Sequence, residues 1–319
     1  MAQSCKSSAL AAALLAALLL AGCGGGGNTP ATTSTTATAS TPAPVTVPDT
    51  AAPQLTNDIA TDGLNWFNYR RQQMGETALT RNTQIDRAAL GHSNYQKVNE
   101  TITHMQILGK PAFTGAQLPD RLTAAGYQFT QDSYAYGEVI SSTGTTTGPE
   151  AAESLIAAIY HRFAIFDPSF RESGAGAATA PGGYTYFTTD FAVNGLRAAL
   201  GTGKFVTYPF ASQQNVPIIF YSDYESPDPV SNRNEVGYPI SVHADITSTV
   251  TVQSFTVKPR GGSVMATQLL TSTTDRDTPA STAAIIPLNV LAPATTYDVQ
   301  FIGSVDGVAA NRSWSFTTK

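Results

Sequence analysis

The sequence predicts two folded parts in series, an α/β domain and then an all-β sandwich, behind a segment that does not fold. Three observations carry this. Between Leu55 and Val193, stretches with apolar residues at helical spacing alternate with short extended ones. After Lys204 the spacing changes to strict period two, threaded with Thr and turn residues. Before Leu55 lies a long stretch almost free of large apolar side chains, which cannot offset its own ordering entropy.

At the N-terminus, Lys6 precedes the apolar run "ALAAALLAALLLAG", the length of a signal-peptide core and short for a membrane span. It closes on Leu20-Ala21-Gly22-Cys23, which resembles the bacterial lipobox. That resemblance implies a leader over residues 1–22, lipidation of Cys23, and anchorage to a membrane through the acyl chains, each buried CH2 contributing about 0.8 kcal/mol. Gly24, standing where an inner-membrane retention Asp would be, points to the outer membrane, on its periplasmic or surface face. With Cys5 in the leader and Cys23 lipidated, no disulfide is expected. Residues 23–54 read as a Thr/Ala/Pro/Ser/Gly-rich tether. The net charge of -5 and the lack of any Lys/Arg cluster exclude a nucleic-acid partner.

Over residues 55–194 the elements follow in order. Ile59, Leu64, Phe67 and Met74 fall on one helical stripe that Gly75 stops. Asn82 is the expected N-cap of a second helix, whose inward positions run Ile85, Ala88, Ala89, His92 and Tyr95. A glycine-marked loop region then carries "THMQILGKPAFTG" and "RLTAAGYQF", followed by an extended "YAYGEVIS". Gly148-Pro149-Glu150 opens a further helix, with His161 and Arg162 expected in its last turn, where the dipole favours a cation. Two strands flank the turn Pro181-Gly182-Gly183. In the sandwich, residues 205–319, "YPISVHADIT" alternates Ile240, Val242 and Ala244 against Ser241, His243 and Asp245, so His243 is expected on the solvated face.

Asn68, Arg71, Gly75 and Leu79 are followed by Ala88-Ala89-Leu90-Gly91-His92-Ser93 and then, in order, by "THMQILG", "RLTAAGY", "YGEVI", "HRFAIFDPSF", "GAG" and "YFTTDFA". In these pieces, their order and their spacing the first domain resembles the CAP (SCP-like) superfamily of cysteine-rich secretory and pathogenesis-related proteins, in its bacterial cysteine-free form. The C-terminal part resembles a bacterial immunoglobulin-like or fibronectin-like module through "LAPATTYDV" and "WSFTT". The first resemblance implies an αβα three-layer sandwich with a central cleft in which two histidines and two acids hold a divalent metal such as Zn(II). Carried over, the cleft set is His104, Glu138 and His161, with His92 nearby on the helix. The second acid would fall near Ala158 and is missing; Glu153 is the nearest substitute.

Three functions are compatible with this set. One is a non-enzymatic module binding a small, lipid-like or peptide ligand, or a metal, in the cleft. Another is a metal- or Glu/His-dependent peptidase or esterase using Glu138, although no G-x-S-x-G or H-E-x-x-H is present and no free thiol would remain once Cys23 is lipidated. The last is a structural or adhesive envelope protein whose sandwich domain meets a protein partner. His104, Glu138 and His161 also admit a purely structural role, since buried polar groups must find partners.

Overall fold

The computed structural model describes residues 4–6, 52–130, 133–145 and 147–319. Cys23, the rest of the expected leader and nearly all of the expected tether lie outside these. Of the leader, Ser4–Lys6 (β1) is seen as a three-residue edge strand.

The first domain is built on a five-stranded sheet in the order β1-β3-β5-β4-β2, with β2 Thr80–Arg81, β3 Tyr134–Thr143, β4 Glu172–Thr179 and β5 Thr185–Asn194. Only β2 and β4 run parallel. Helices α2 Thr83–Asn99 and α3 Leu118–Ala124 cover one face, where Ile85, Ala88 and Leu122 pack with Ala192. Helices α1 Ile59–Gln73, α4 Gly148–Ala157 and α5 Ile159–Ile165 cover the other, around Phe67, Phe187 and Phe191. This is the expected three-layer α/β arrangement.

Local chemistry explains the elements. The Asn82 side chain accepts from the Gln84 and Ile85 amides and so caps α2. Gly75, at φ 91°, takes the left-handed turn that ends α1. The spaced Asn68, Arg71 and Leu79 also acquire a reason. Asn68 exchanges two hydrogen bonds with the Leu79 backbone, and the fully buried Arg71 donates to the carbonyls of Thr77, Ile165 and Asp167. Together they tie the turn after α1 to the end of α5.

Gly174 and Gly176 let α2 lie flush on β4. A Cβ on Gly176 would stand 2.2 Å from the Leu90 backbone, and one on Gly174 2.2 Å from the Asp86 amide. Because backbone cannot rotate aside, Gly176→Ala is expected to cost about 3 kcal/mol, at the upper end for overpacking. A urea unfolding midpoint unchanged from wild type would refute this account of the helix-sheet seat.

The C-terminal part is built of strands, with one 3-10 turn at Ser222–Tyr224. One sheet holds β10 Val250–Pro259, β13 Thr296–Val305, β14 Val308–Ala309 and β15 Arg312–Thr317; the other runs β11 Thr267–Thr271, β12 Thr282–Pro287, β9 Ile240–His243, β6 Val206–Tyr208. A small pair, β7 Ile219–Tyr221 with β8 Glu235–Gly237, stands apart. The apolar core does not stop at the domain boundary: one cluster runs from Phe67 and Phe187 through Phe166 and Tyr208 to Val299 and Trp314. Asp245 accepts from the amides of Ala199, Leu200 and Gly201, which fixes the connecting segment to the C-terminal part, and Ser169 Oγ accepts from the Ile246 amide, which ties the two parts directly.

That shared core corrects the expectation for His243. Its strand alternates as predicted, but the supposedly wet face is covered by the first domain. His243 is fully buried, edge-on to Phe163 and Phe166, and hydrogen-bonded through Nε2 to Ser241 Oγ at 2.9 Å. Burial pushes its imidazole well below the usual histidine range.

Candidate functional site

Glu138 sits in the middle of β3 on the face covered by α2 and α3, directly across from Asp190 of β5. It is 1% exposed. Its Oε1 is 2.8 Å from His104 Nδ1 and its Oε2 accepts from Arg121 Nη2 at 2.5 Å. The same guanidinium donates through Nη1 to the His104 carbonyl at 3.0 Å, so α3 fixes both the carboxylate and the loop that carries the histidine. That loop approaches α3 closely at Gly115, where a Cβ would stand 2.7 Å from the Arg121 amide. Burial pushes the Glu138 carboxyl up, but the hydrogen bond from His104 and the charge of Arg121 outweigh it and hold it at about 2.

His92 is the inward helix histidine that the sequence predicts, and it belongs to the packing of the loop. Its Nε2 donates to the Thr103 carbonyl at 2.7 Å while Nδ1 accepts from Gln106 Nε2 at 2.9 Å. Burial pushes it down to about 4, with Glu138, 4.0 Å away, pulling the other way. Both ring nitrogens are therefore committed, and the ring stays neutral at physiological pH.

His161 is placed elsewhere. The helix expected to end at Arg162 breaks at Ala158, an extended residue at ψ 114°, and His161 lies in the first turn of α5 instead of a last turn. Helix α5 packs on the opposite face of the sheet from Glu138, its Ala164 standing over Gly137. The His161 ring meets Glu225 of the C-terminal part, Nδ1 to Oε1 at 3.0 Å. The Glu225 carboxylate also accepts from the amides of Ile159, Tyr160 and His161, and so caps the helix from 64 residues or more away in sequence. Glu153, the substitute acid, accepts from Trp66 Nε1 and Arg70 Nε, both at 2.6 Å, and does not enter the cleft.

The expected metal set is thus divided: His104 and Glu138 meet, and His161 does not join them. Among the described residues no group of three or more His, Cys, Asp or Glu side chains is arranged to hold a metal ion. Glu138 Oε2 already faces a guanidinium, and both His92 nitrogens are occupied. The donors do not fit the three- or four-ligand zinc site that the resemblance implies.

Two site residues escaped the sequence reading. Arg121 looked like a loop residue before the glycine of "RLTAAGY". Asp190 had a signal, an acid in the middle of the otherwise buried strand "YFTTDFAV". It is fully buried, neither carboxyl oxygen makes a hydrogen bond of good geometry, and burial and the neighbouring Glu138 charge push it well above the usual carboxylate range. Two carboxyls side by side, one held ionised and one held protonated, form the floor of the site.

Residues 64–191 match the family model "Cysteine-rich secretory protein family" (CAP). Among solved structures, an extracellular protein containing a SCP domain from Bacillus anthracis aligns at 20% identity and TM-score 0.36, covering 46% of this chain and 45% of that one. This chain therefore spans less than half of that protein's length. An outer surface protein from Borrelia burgdorferi aligns at 14% identity and TM-score 0.35, covering 41% of this chain and 90% of that one. No curated protein matches the chain.

Proposed function

We propose that the chain is a lipid-anchored cell-envelope protein whose CAP domain binds a small amphipathic ligand at the mouth of the His104 site, without turnover. One observation supports this above the rest. His104 is the partly exposed member of an otherwise buried polar cluster, its side chain 25% accessible, and the loop that carries it exposes Ile102, Met105, Ile107 and Leu108, the last at 81%. A fixed polar group ringed by apolar side chains suits a ligand with a polar head and an apolar body. The loop is held in shape, since Tyr95 Oη accepts from the Ile107 amide and Gln106 bridges His92 and Thr114.

In this reading Cys23 carries the lipid and the outer membrane is the location. Removal of the leader takes β1 away and leaves β3 as the sheet edge. The immunoglobulin-like C-terminal module is a rigid base for the CAP domain and a candidate surface for a protein partner. Hydrolysis is the weaker alternative. The His104–Glu138 pair has the form of a base and its orienter, but the one hydrogen-bond partner of the His104 ring among the described contacts is Glu138, with no hydroxyl or thiol nucleophile against it.

The test is calorimetric titration of the Cys23→Ser chain with dodecanoate, dodecylamine and dodecanol. At least one should bind, about tenfold more weakly in His104→Ala and in Leu108→Ser, a loss near 1.4 kcal/mol, and equally well in His161→Ala. The reading is wrong if none of the three binds, or if His104→Ala binds like wild type.

A further inference from the structure

We infer that the C-terminal part carries a second binding site, an open cleft on the outer face of its β10–β13–β15 sheet that takes an acidic saccharide. The cleft holds about 460 Å³, within the range of small-molecule sites. Strand register lays out its floor. Thr256, Gln300 and Ser313 stand side by side across the three strands, and Lys258, Asp298 and Ser315 form the next row. Neighbouring strands are about 4.8 Å apart, so each row is a ladder of polar groups at close, even spacing. The exposed Val264 and the largely buried Trp314 add apolar surface to the lining.

The outer side of an antiparallel sheet is ordinarily wet; this one is also hollow, and its polar groups are uncommitted. The side chains of Thr256, Lys258, Gln300, Ser313 and Ser315 make no hydrogen bond among the described residues. They offer hydroxyls and an amide, which both donate and accept, and one ammonium, which only donates. A polyhydroxylated ring matches such a set, because each sugar hydroxyl also donates and accepts, while Val264 and Trp314 suit its C–H face. Charge then selects among saccharides. Arg260 Nη2 donates to Asp298 Oδ1 at 2.6 Å, and Lys258 lies directly opposite the same aspartate. Two cations share one carboxylate, so the cleft carries a surplus positive charge in a chain whose net charge is -5. A sugar carboxylate would complete the balance at Lys258. An added peptide strand is a poorer fit, because the outer edges of β10 and β15 are taken. The Met265 amide donates to the Val257 carbonyl, and the Ser212 and Val216 amides donate to the carbonyls of Ser315 and Thr317.

The experiment is calorimetric titration of the Cys23→Ser chain with trigalacturonate and with N-acetylmuramic acid, beside maltotriose as a neutral saccharide and citrate as an anion without a ring. It is run on the native cleft, on Lys258→Glu and on Gln300→Ala. At least one acidic saccharide should bind with a Kd below about 1 mM, and maltotriose and citrate should bind about tenfold more weakly or not at all. Lys258→Glu should weaken the binding by about tenfold or more, and Gln300→Ala by about fivefold, the loss of one or two hydrogen bonds. Both side chains are exposed, so both variants should fold as the native form does. The inference is overturned if neither acidic saccharide binds, or if citrate or maltotriose binds as tightly as the acidic saccharides. It is equally overturned if Lys258→Glu and Gln300→Ala bind as the native form does, since the ligand then sits elsewhere.

Discussion

Arg162→Met should lower stability by about 4 kcal/mol and divide thermal unfolding into two steps. Arg162 is fully buried where the two parts of the chain meet. Its Nε donates to the Ile156 carbonyl and its Nη1 to the Pro239 carbonyl, both at 2.6 Å, and Nη1 also reaches Ser241 Oγ at 3.4 Å. The guanidinium carbon lies 5.0 Å from the ring centre of Tyr208 and 4.8 Å from that of Tyr238. Methionine fills most of the space but donates nothing. Each buried carbonyl left without its donor costs about 1–3 kcal/mol, and desolvated cation–π contacts add up to about 2 kcal/mol each. Part is returned because no charge need be buried, which brings the net loss to about 4 kcal/mol. At about 2–4 °C per kcal/mol for a chain of this size, differential scanning calorimetry should show the first transition about 10 °C lower, with the C-terminal sheets melting separately. A single transition within about 3 °C of wild type would mean that the apolar core alone joins the two parts.

The same arginine shows what could be read from the sequence. Features decided within a few residues were legible: the Asn82 cap, the Gly75 stop and the proline-led start of α4. The family resemblance also placed His104 beside Glu138. Features decided by distant contacts were not. The break between α4 and α5 falls at Ala158, with neither glycine nor proline to mark it, and is stabilised by Glu225 from the other domain. Two-faced burial of β9 depends on which surface the first domain presents to it, so period two alone assigned His243 to solvent. Arg121 became a site residue because α3 forms in a stretch that reads as loop and aims the side chain at Glu138.

Between pH 5 and pH 8 Glu76 should cost the wild type stability, and Glu76→Gln should remove that cost. Glu76 is buried against Arg71, 3.0 Å from Nη2, and its Oε1 has no partner. Burial pushes its carboxyl up to about 7, against the pull of Arg71, and burial likewise pushes Asp167 up to about 6. The Arg71 guanidinium is lowered for the same reason, so both partners of the pair resist ionisation. A carboxyl raised in the folded state keeps its proton after the unfolded chain has released it. Its contribution is complete below the unfolded value, 4.5 for Glu76, and is lost as pH climbs through about 7. That span is worth on the order of 3 kcal/mol for Glu76. Glu138 acts in the opposite sense: lowered to about 2, it contributes above 4.5 and loses that contribution as pH falls towards 2. The two trends meet near pH 4.5. The buried histidines His92 and His243, lowered in the folded state, oppose the Glu76 loss up to the free imidazole value of 6.5, so the Glu76 share is isolated by comparing the variant with wild type at each pH. Glutamine copies the protonated glutamic acid, so Glu76→Gln should match wild type at pH 5 and exceed it at pH 8 by on the order of 2 kcal/mol. Urea unfolding at the two pH values decides the matter. A variant less stable than wild type at pH 8 would show that Glu76 is ionised there and that its ion pair with Arg71 outweighs the burial of both charges.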